Sequence, residues 1–225
     1  MDKRISTANI ADACLTLALE FSVWPELRAV GSPRLSGLAF PVQHHGSVDV
    51  FLEAIGKATE GSVLMVDNAG RSDEGCIGDL VVREARLAGL GGIAIWGAHR
   101  DTADLHEIDF PLFSLGRCPA GPRALRPRPT EPFGWAQFGD FLVSPGHFII
   151  ADQDGLIAVD SADWPGIRDE AEAIRAREAE QARLVESGQS LRQQFHFDDF
   201  LHRRARDETY SFRAHLRSVG GEIER

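Results

Sequence analysis

Lysine is nearly missing from this 225-residue chain: of its 24 basic residues only Lys3 and Lys57 are lysines. Lys3 lies in a terminus expected to fray. Lys57 follows Val48, Phe51, Leu52 and Ile55, whose spacing suits one helix face and turns residue 57 toward solvent. A Schiff-base mechanism needs a desolvated lysine with a depressed pKa. Neither lysine qualifies, so carbonyl chemistry would need another electrophile, and a metal ion is the usual substitute. Cysteine is also scarce. Cys14, Cys76 and Cys118 are scattered, which argues against a disulfide framework and a zinc site and suits a reduced, cytoplasmic protein. No apolar run approaches the roughly 18 to 20 residues that span a bilayer. No apolar stretch follows the basic pair Lys3-Arg4, so neither a signal peptide nor a membrane partner is expected. Positive charge is outweighed, with 34 acidic residues and a net charge of −10, which disfavours nucleic acid. The Pro-Arg stretch 121–128 is basic but has no interleaved aromatics and reads as a connector. Phosphate loops, dinucleotide fingerprints and serine-nucleophile elbows are absent.

What is present is ordinary globular composition, 43% hydrophobic and 26% charged, in a chain long enough for one large domain with an appendage. Residues 6–20 read as a helix capped by Ser6 or Thr7, 38–42 as a strand and 47–58 as a helix. The middle alternates: strand 63–67, loop 68–75, helix 77–88, strand 93–96, a short helix near 103–106 and strand 111–115. That β-α-β-α-β order favours parallel pairing and right-handed crossovers. Between 135 and 160, short apolar runs separated by Pro145-Gly146 and by the turn 152–155 read as an antiparallel β unit. A charged helix over 161–190 and a helical stretch over 191–206 follow. The expected division is an α/β catalytic domain over 1–160 and a C-terminal helical extension over 161–225 that serves oligomer packing.

The pattern that carries chemistry is Gly75-x3-Asp79, twenty residues, then Arg100-Asp101. Asp79 falls in the first turn of a helix, and Arg100 and Asp101 fall just past the next strand. In an open α/β sheet both places lie on the rim where ligands bind. The amides of Leu80 and Val81, unpaired in a first turn, can meet an anion. Arg100 offers a planar fork to a carboxylate or keto oxygen. Asp79 and Asp101 offer oxygen to a hard cation, and magnesium uses only one or two carboxylates, with water and substrate completing its shell. These parts suit a 2-oxo acid. Taken singly, an acidic residue in a first turn suits the helix dipole, an Arg-Asp pair is commonly a solvated ion pair, and glycines serve turns. Their joint placement on one rim is what points to a site.

Residues 61–116 resemble the RraA-like family, including its 4-hydroxy-4-methyl-2-oxoglutarate and 4-carboxy-4-hydroxy-2-oxoadipate aldolase branch. The resemblance rests on Gly61 through Asp67, Gly78-Asp79-Leu80, Gly91-Gly92, Gly97 through Asp101, Asp104 and Ile108 through Pro111. The spacing G-x3-D-x20-R-D marks the aldolase branch and is met here residue for residue. The resemblance implies a layered α/β/β/α sandwich of the swivelling phosphohistidine-domain type, with the C-terminal helical extension added. It implies homotrimers or hexamers with interface active sites, and Mg2+ or Mn2+ as cofactor. The implied activity is class II aldol cleavage of a 4-hydroxy-2-oxo acid, or decarboxylation of oxaloacetate, to pyruvate. By similarity, Asp101 ligates the metal and Asp79 acts through a water. Arg100 stabilises the enolate, and Gly78, Leu80 and Val81 bind the pyruvyl carboxylate. The chain departs from the family at His147, where Pro-Gly-Asp is usual, at Asp160, and from Ser190 onward. The family also contains ribonuclease E inhibitors, which sets the alternative of a non-catalytic protein-binding regulator. Asp79 and Asp101 favour the enzyme.

Other candidates have plainer readings. The side chains of His44 and His45 point apart if that segment is extended. His99 beside Arg100 suits a structural role better than a catalytic one. His196 and His202, six apart, do not share a helix face. Phe195, Phe197 and Phe200 suit packing between helices or subunits.

Overall fold

The computed structural model describes residues 5–220 and separates into two compact units, Glu20–Trp164 and a helical unit of the described residues up to Leu19 together with those from Pro165. The N-terminal helix, expected in the α/β domain, groups instead with the C-terminal helices. Lys3 lies outside the described residues.

The unit Glu20–Trp164 is a mixed α/β fold built on one eight-stranded sheet. Its strands are β1 (Phe21–Trp24), β2 (Arg28–Val30), β3 (Leu35–Gln43), β4 (Val63–Ile77), β5 (Gly92–His99), β6 (Leu112–Arg117), β9 (His147–Asp152) and β10 (Gly155–Asp160), while β7 (Ala136–Phe138) and β8 (Phe141–Val143) form a separate pair. The order is β1-β10-β9-β3-β4-β5-β6-β2. The stretch β3-β4-β5-β6 is parallel, as expected. Strand β3 belongs to both halves of the sheet: Leu35–Leu38 pairs antiparallel with β9 and Ala39–Gln43 parallel with β4.

Three helices, α2 (Asp49–Lys57), α3 (Asp79–Leu87) and α4 (Thr102–Ile108), cover one face of the parallel strands. Side chains alternate across a strand, so each strand feeds two cores. Leu64, Val66, Ile93, Ile95 and Leu112 meet Phe51, Val82 and Leu105 of the helices. Val63, Met65, Ala94 and Phe113 face the other way and pack with Ile149, Ala151, Leu156 and Ala158 of β9 and β10. The sheet thus folds back on itself, which explains the continuous apolar run of 63–66: both faces are buried.

The largest departure from expectation is residues 68–75. They read as a loop but continue β4, paired to β5 through three register shifts between Asp67 and Ile77. Ala69 and Gly70 take positive φ values of 53° and 67°, as bulged residues do. The polar side chains of this stretch masked the strand pattern; Arg71, Gly75 and Ile77 pair with Gly97, Ala98 and His99 of β5, while the Ala69 N–H donates to the Asp67 carboxylate. Helix α3 consequently starts at Asp79, not Ile77, with Gly78 as its N-cap.

In the helical unit, α1 (Thr7–Leu17) carries a capping box between Ser6 and Asn9, and α5 runs Trp164–Glu186. Helices α6 (Leu191–Gln194), α7 (Phe197–Arg204) and α8 (Phe212–Val219) follow. Phe200 contacts Phe197, Phe212 and His215, and Phe195 and Phe200 are both buried within this unit, so the aromatics pack between helices. Among the described residues no helix is long and apolar enough to cross a membrane.

Candidate active site

Asp79, Arg100 and Asp101 line one cleft of about 290 Å3 at the carboxyl ends of β4 and β5, together with Gly78, Leu80 and Val81. The convergence follows from local sequence. Strand β4 ends at Ile77, Gly78 turns the chain, and α3 begins with Asp79 at its first position. Strand β5 ends at His99, and Arg100 N–H donates to the Ile77 carbonyl at 2.9 Å, pinning the two strand ends together.

Gly78 is required by closeness. A Cβ there would collide with Oδ2 of Asp101 and sit 3.1 Å from Nε of Arg100. Two further glycines admit Arg100: a Cβ at Gly75 would lie 2.8 Å from the Arg100 Cβ, and one at Gly121 would lie 2.7 Å from Nη1. The Arg100 side chain therefore runs, from Cβ to guanidinium, past three glycines. Gly78 makes no side-chain cap, so no side chain competes for the first amides of α3.

Asp101 adopts a left-handed backbone, φ 59° and ψ 40°, at the N-cap of α4. Aspartate tolerates this better than most residues, and such strain collects at functional sites. An N-cap aspartate ordinarily accepts from its own helix, but this one makes no capping bond. Its carboxylate turns instead to Arg100 Nε at 3.4 Å, and Asp79 Oδ2 sits 3.3 Å from Arg83 Nε. Both pairs are solvent-accessible, which makes them weak and exchangeable.

The remaining polar groups near the cleft are committed. His99 is buried, with Nδ1 2.7 Å from Ser114 Oγ and Nε2 3.0 Å from Thr102 Oγ1. Ser114 Oγ donates to the Gly116 carbonyl, so Nδ1 carries the imidazole proton and Nε2 accepts from Thr102. Burial lowers the His99 pKa. Its role is to hold the end of β5, in line with the structural reading.

His44 lines the cleft but is not free. Gly46 N–H donates to Nε2 at 3.2 Å, Nδ1 faces Asn68 Oδ1 at 2.8 Å, and the ring stacks on Phe51. Desolvation by burial lowers its pKa to about 4. His45 faces Asp49 at 3.5 Å, so the two histidines do point apart. Cys76 also lines the cleft, and burial, aided by the Glu74 carboxylate, pushes its thiol up to about 12. It is no nucleophile at neutral pH. Lys57 is exposed and paired to Glu53 at 2.7 Å, on the solvent side of α2 as its spacing suggested.

A second acid–arginine group, not legible from the order of residues, lies beside the cleft. Buried Glu74 accepts from Arg71 Nε at 2.8 Å and Arg126 Nη2 at 2.6 Å, and Arg71 Nη2 donates to Asn68. Burial pushes the Glu74 carboxyl up, but the hydrogen bonds from Arg126 and Arg71 outweigh it and hold it below the usual range. Arg126 belongs to the Pro-Arg stretch read as a connector. That stretch is pinned along its length: the Ala120 carbonyl accepts from Gly75, Arg126 N–H donates to His45, and Arg128 pairs with Asp49 and Glu53. It is a wall of the site, delivering Gly121 and Pro122.

The fold is a mixed α/β architecture with a cleft at the carboxyl ends of β4 and β5. The family model described as "RraA-like: Aldolase/RraA" matches residues 7–158, and the chain belongs to that family. A curated relative from Alcanivorax borkumensis, provisionally named a 4-hydroxy-4-methyl-2-oxoglutarate aldolase, is 32% identical over 110 residues, which is 49% of this chain and 68% of that protein. Among solved structures, an uncharacterized protein from Pseudomonas syringae pv. tomato superposes with a TM-score of 0.74 at 25% identity, covering 85% of this chain and 92% of that one. The RNA-processing inhibitor RraA from Thermus thermophilis shares the fold, with a TM-score of 0.60 at 24% identity over 71% of this chain and 93% of that one.

Proposed function

We propose that this chain is a divalent-metal-dependent carbon–carbon lyase that releases pyruvate from a 4-hydroxy-2-oxo acid or from oxaloacetate. The observation that supports it is the opening of Asp79, Arg100, Asp101 and the uncapped first turn of α3 onto one cleft. The donor set fits a hard cation. Among the described residues no three His, Cys, Asp or Glu side chains gather around a common point. The cleft's one histidine has both nitrogens engaged, and its one thiol is held protonated. Two carboxylates with open positions suit Mg2+ or Mn2+ better than zinc. Asp101 would hold the ion directly and Asp79 through a water, and the ion would supply Lewis-acid polarisation of the substrate's keto and carboxylate oxygens.

The protein's own groups do the rest. The amides of Leu80 and Val81 bind the pyruvyl carboxylate at the positive end of α3. Arg100, whose side chain runs past the three glycines, donates to the C2 oxygen where negative charge develops. A water oriented by Asp79 takes the proton of the C4 hydroxyl. The C3–C4 bond then breaks, its electron pair enters the C2–C3 enolate, and the distal fragment leaves as a carbonyl compound. A proton returned to C3 yields pyruvate. With oxaloacetate the same bond breaks and the leaving fragment is carbon dioxide.

The finer fold type, the swivelling phosphohistidine-domain sandwich, belongs to this proposal, supported by the two cores of the folded-back sheet. So does assembly into homotrimers or hexamers, supported by exposed Leu52, Leu87 and Leu125. Pyruvate release from oxaloacetate and from 4-hydroxy-2-oxo acids, measured with chelator and then with added Mg2+ or Mn2+, tests the reading. Metal-dependent turnover lost in Asp101→Asn supports it; metal-independent turnover, or full activity in that variant, overturns it. The fold shared with the Thermus RraA favours a second reading, a protein-binding regulator. That reading gives no role to a carboxylate that forgoes its capping bond at Asp101.

A further inference from the structure

The Asp101 carboxylate reaches the cleft because its backbone is unusual. An N-cap aspartate ordinarily takes an extended backbone and accepts from the amides of its own first turn. At φ 59° and ψ 40° this one makes no capping bond and lines the cleft. A left-handed backbone outside glycine is disfavoured about tenfold, so the surrounding turn must hold it. That turn is fastened on both sides of residue 101. Before it, Arg100 N–H donates to the Ile77 carbonyl at 2.9 Å, and the His99 carbonyl accepts from Cys118 N–H at 2.8 Å. After it, the Thr102 hydroxyl donates to His99 Nε2 at 3.0 Å, closing a loop across residue 101. The imidazole is anchored in turn: Nδ1–H donates to Ser114 Oγ on β6, and that hydroxyl donates to the Gly116 carbonyl. Thr102, His99 and Ser114 thus each donate to the next member of one chain, and His99 and Ser114 are buried. Apolar side chains could fill these positions with no polar atom to satisfy. A buried polar chain with every partner present fixes one arrangement instead. One neutral hydrogen bond contributes about fivefold, comparable with the backbone strain it offsets here.

We propose that His99 is a positioning residue for Asp101: through the Thr102 hydroxyl it holds residue 101 in the left-handed backbone that keeps the carboxylate off its own helix and turned into the cleft. This inference rests on the lyase reading, which makes Asp101 the direct ligand of the cation, and it gives His99 a task beyond closing the end of β5. Releasing Thr102 lets residue 101 relax to an extended backbone, where its carboxylate caps α4 and is lost to the cation. The hold acts within one chain on one carboxylate, whatever a neighbouring copy adds to the cleft.

The test strips full-length protein with chelator, titrates it with Mn2+ in the absence of substrate and reads free Mn2+ by electron paramagnetic resonance. Mn2+-activated pyruvate release from oxaloacetate is measured beside it. Thr102→Val keeps the branched shape and removes the hydroxyl. It should raise the Mn2+ dissociation constant about tenfold, the lower end for losing a group that orients a metal ligand. Thr102→Ser keeps the hydroxyl and should bind Mn2+ as the parent does. Ile149→Val, in the core of β9 and not among the residues lining the cleft, gives a comparable loss of stability and should leave Mn2+ binding unchanged. In a His99→Phe background, Thr102→Val should add less than about twofold, because the two side chains act through one bond. If His99→Phe does not fold, the two Thr102 variants decide. Parent-like Mn2+ binding in folded Thr102→Val, or an equal loss in Thr102→Ser, overturns this inference alone, provided the parent is metal-dependent. A parent that neither binds Mn2+ nor releases pyruvate overturns the lyase reading, and this inference with it.

Discussion

Two acid–arginine groups lie within one layer of each other and are built in opposite ways. Glu74 is buried and gripped by two arginines. Asp101 is more than a third exposed, sits on a strained left-handed backbone, forgoes its helix cap and faces one arginine at 3.4 Å. The first spends every acceptor on the protein; the second keeps oxygen atoms for something else. The contrast separates structure from chemistry: a satisfied buried pair specifies the fold, and an under-used carboxylate at a helix start specifies a site.

The sharpest way to break this contrast is to alter each carboxylate and compare activity with stability. Asp101→Asn keeps the left-handed backbone that asparagine tolerates. It should lower kcat/KM by about 10³-fold, near the range for losing one group that stabilises transition-state charge. Its melting temperature should stay within a few degrees of the parent, as measured by thermal unfolding.

Glu74→Ala should do the reverse. It strands two guanidinium groups and should cost about 3 kcal/mol, the low end for breaking a buried pair, because both arginines retain some solvent. For a chain of this length that is a fall of roughly 6 to 12 °C in melting temperature. Turnover per folded molecule should change less than in Asp101→Asn; a larger loss would mean that the network acts in catalysis.

Gly78→Ala probes the seam between the groups. The added methyl meets the Asp101 carboxylate, a side-chain end that can swing away, so the protein should fold. Displacing that carboxylate should cost about 10²-fold in kcat/KM, as small misplacements of catalytic groups do. Unchanged kinetics would show that the close approach of Asp101 to the helix start is dispensable.

Acid unfolding gives the most specific effect. Folded His44 is neutral with a pKa of about 4, against 6.5 in the unfolded chain. Between those values the unfolded state binds the extra proton. The stability linked to His44 is therefore complete above pH 6.5 and drains away as pH falls toward 4, by about 3 kcal/mol at that pH. His99, also depressed by burial, drains in the same direction. Denaturant unfolding between pH 6.5 and 4.5, above the window where Glu74 takes up its proton, should show a shallower pH slope in His44→Gln. An unchanged slope would place the acid sensitivity elsewhere.

The sequence announced much of the site and little of its support. Periodicity located β4, α3, β5 and α4 closely enough to put Asp79 in a first turn and Arg100-Asp101 after a strand. Short or polar segments were illegible: β1 and β2 have four and three residues, and the second half of β4 is mostly polar. The network of Asn68, Arg71, Glu74 and Arg126 gave no signal because its members meet across 52 residues between Glu74 and Arg126. The same distance hid the Pro-Arg stretch's role as a wall.

By itself the order of residues determined the parallel β-α-β core, the scarcity of lysine and the spacing that brings two aspartates and an arginine to one rim. These are local matters, since hydrophobic period, glycine position and strand-to-helix connection length act over a few residues. Tertiary structure alone decided that the sheet folds back to bury both faces, and that the N-terminal helix joins the C-terminal unit. It also decided that one carboxylate is locked while another is left open. Burial and pairing depend on which distant segments arrive beside a residue, and the chain states that only once it has folded.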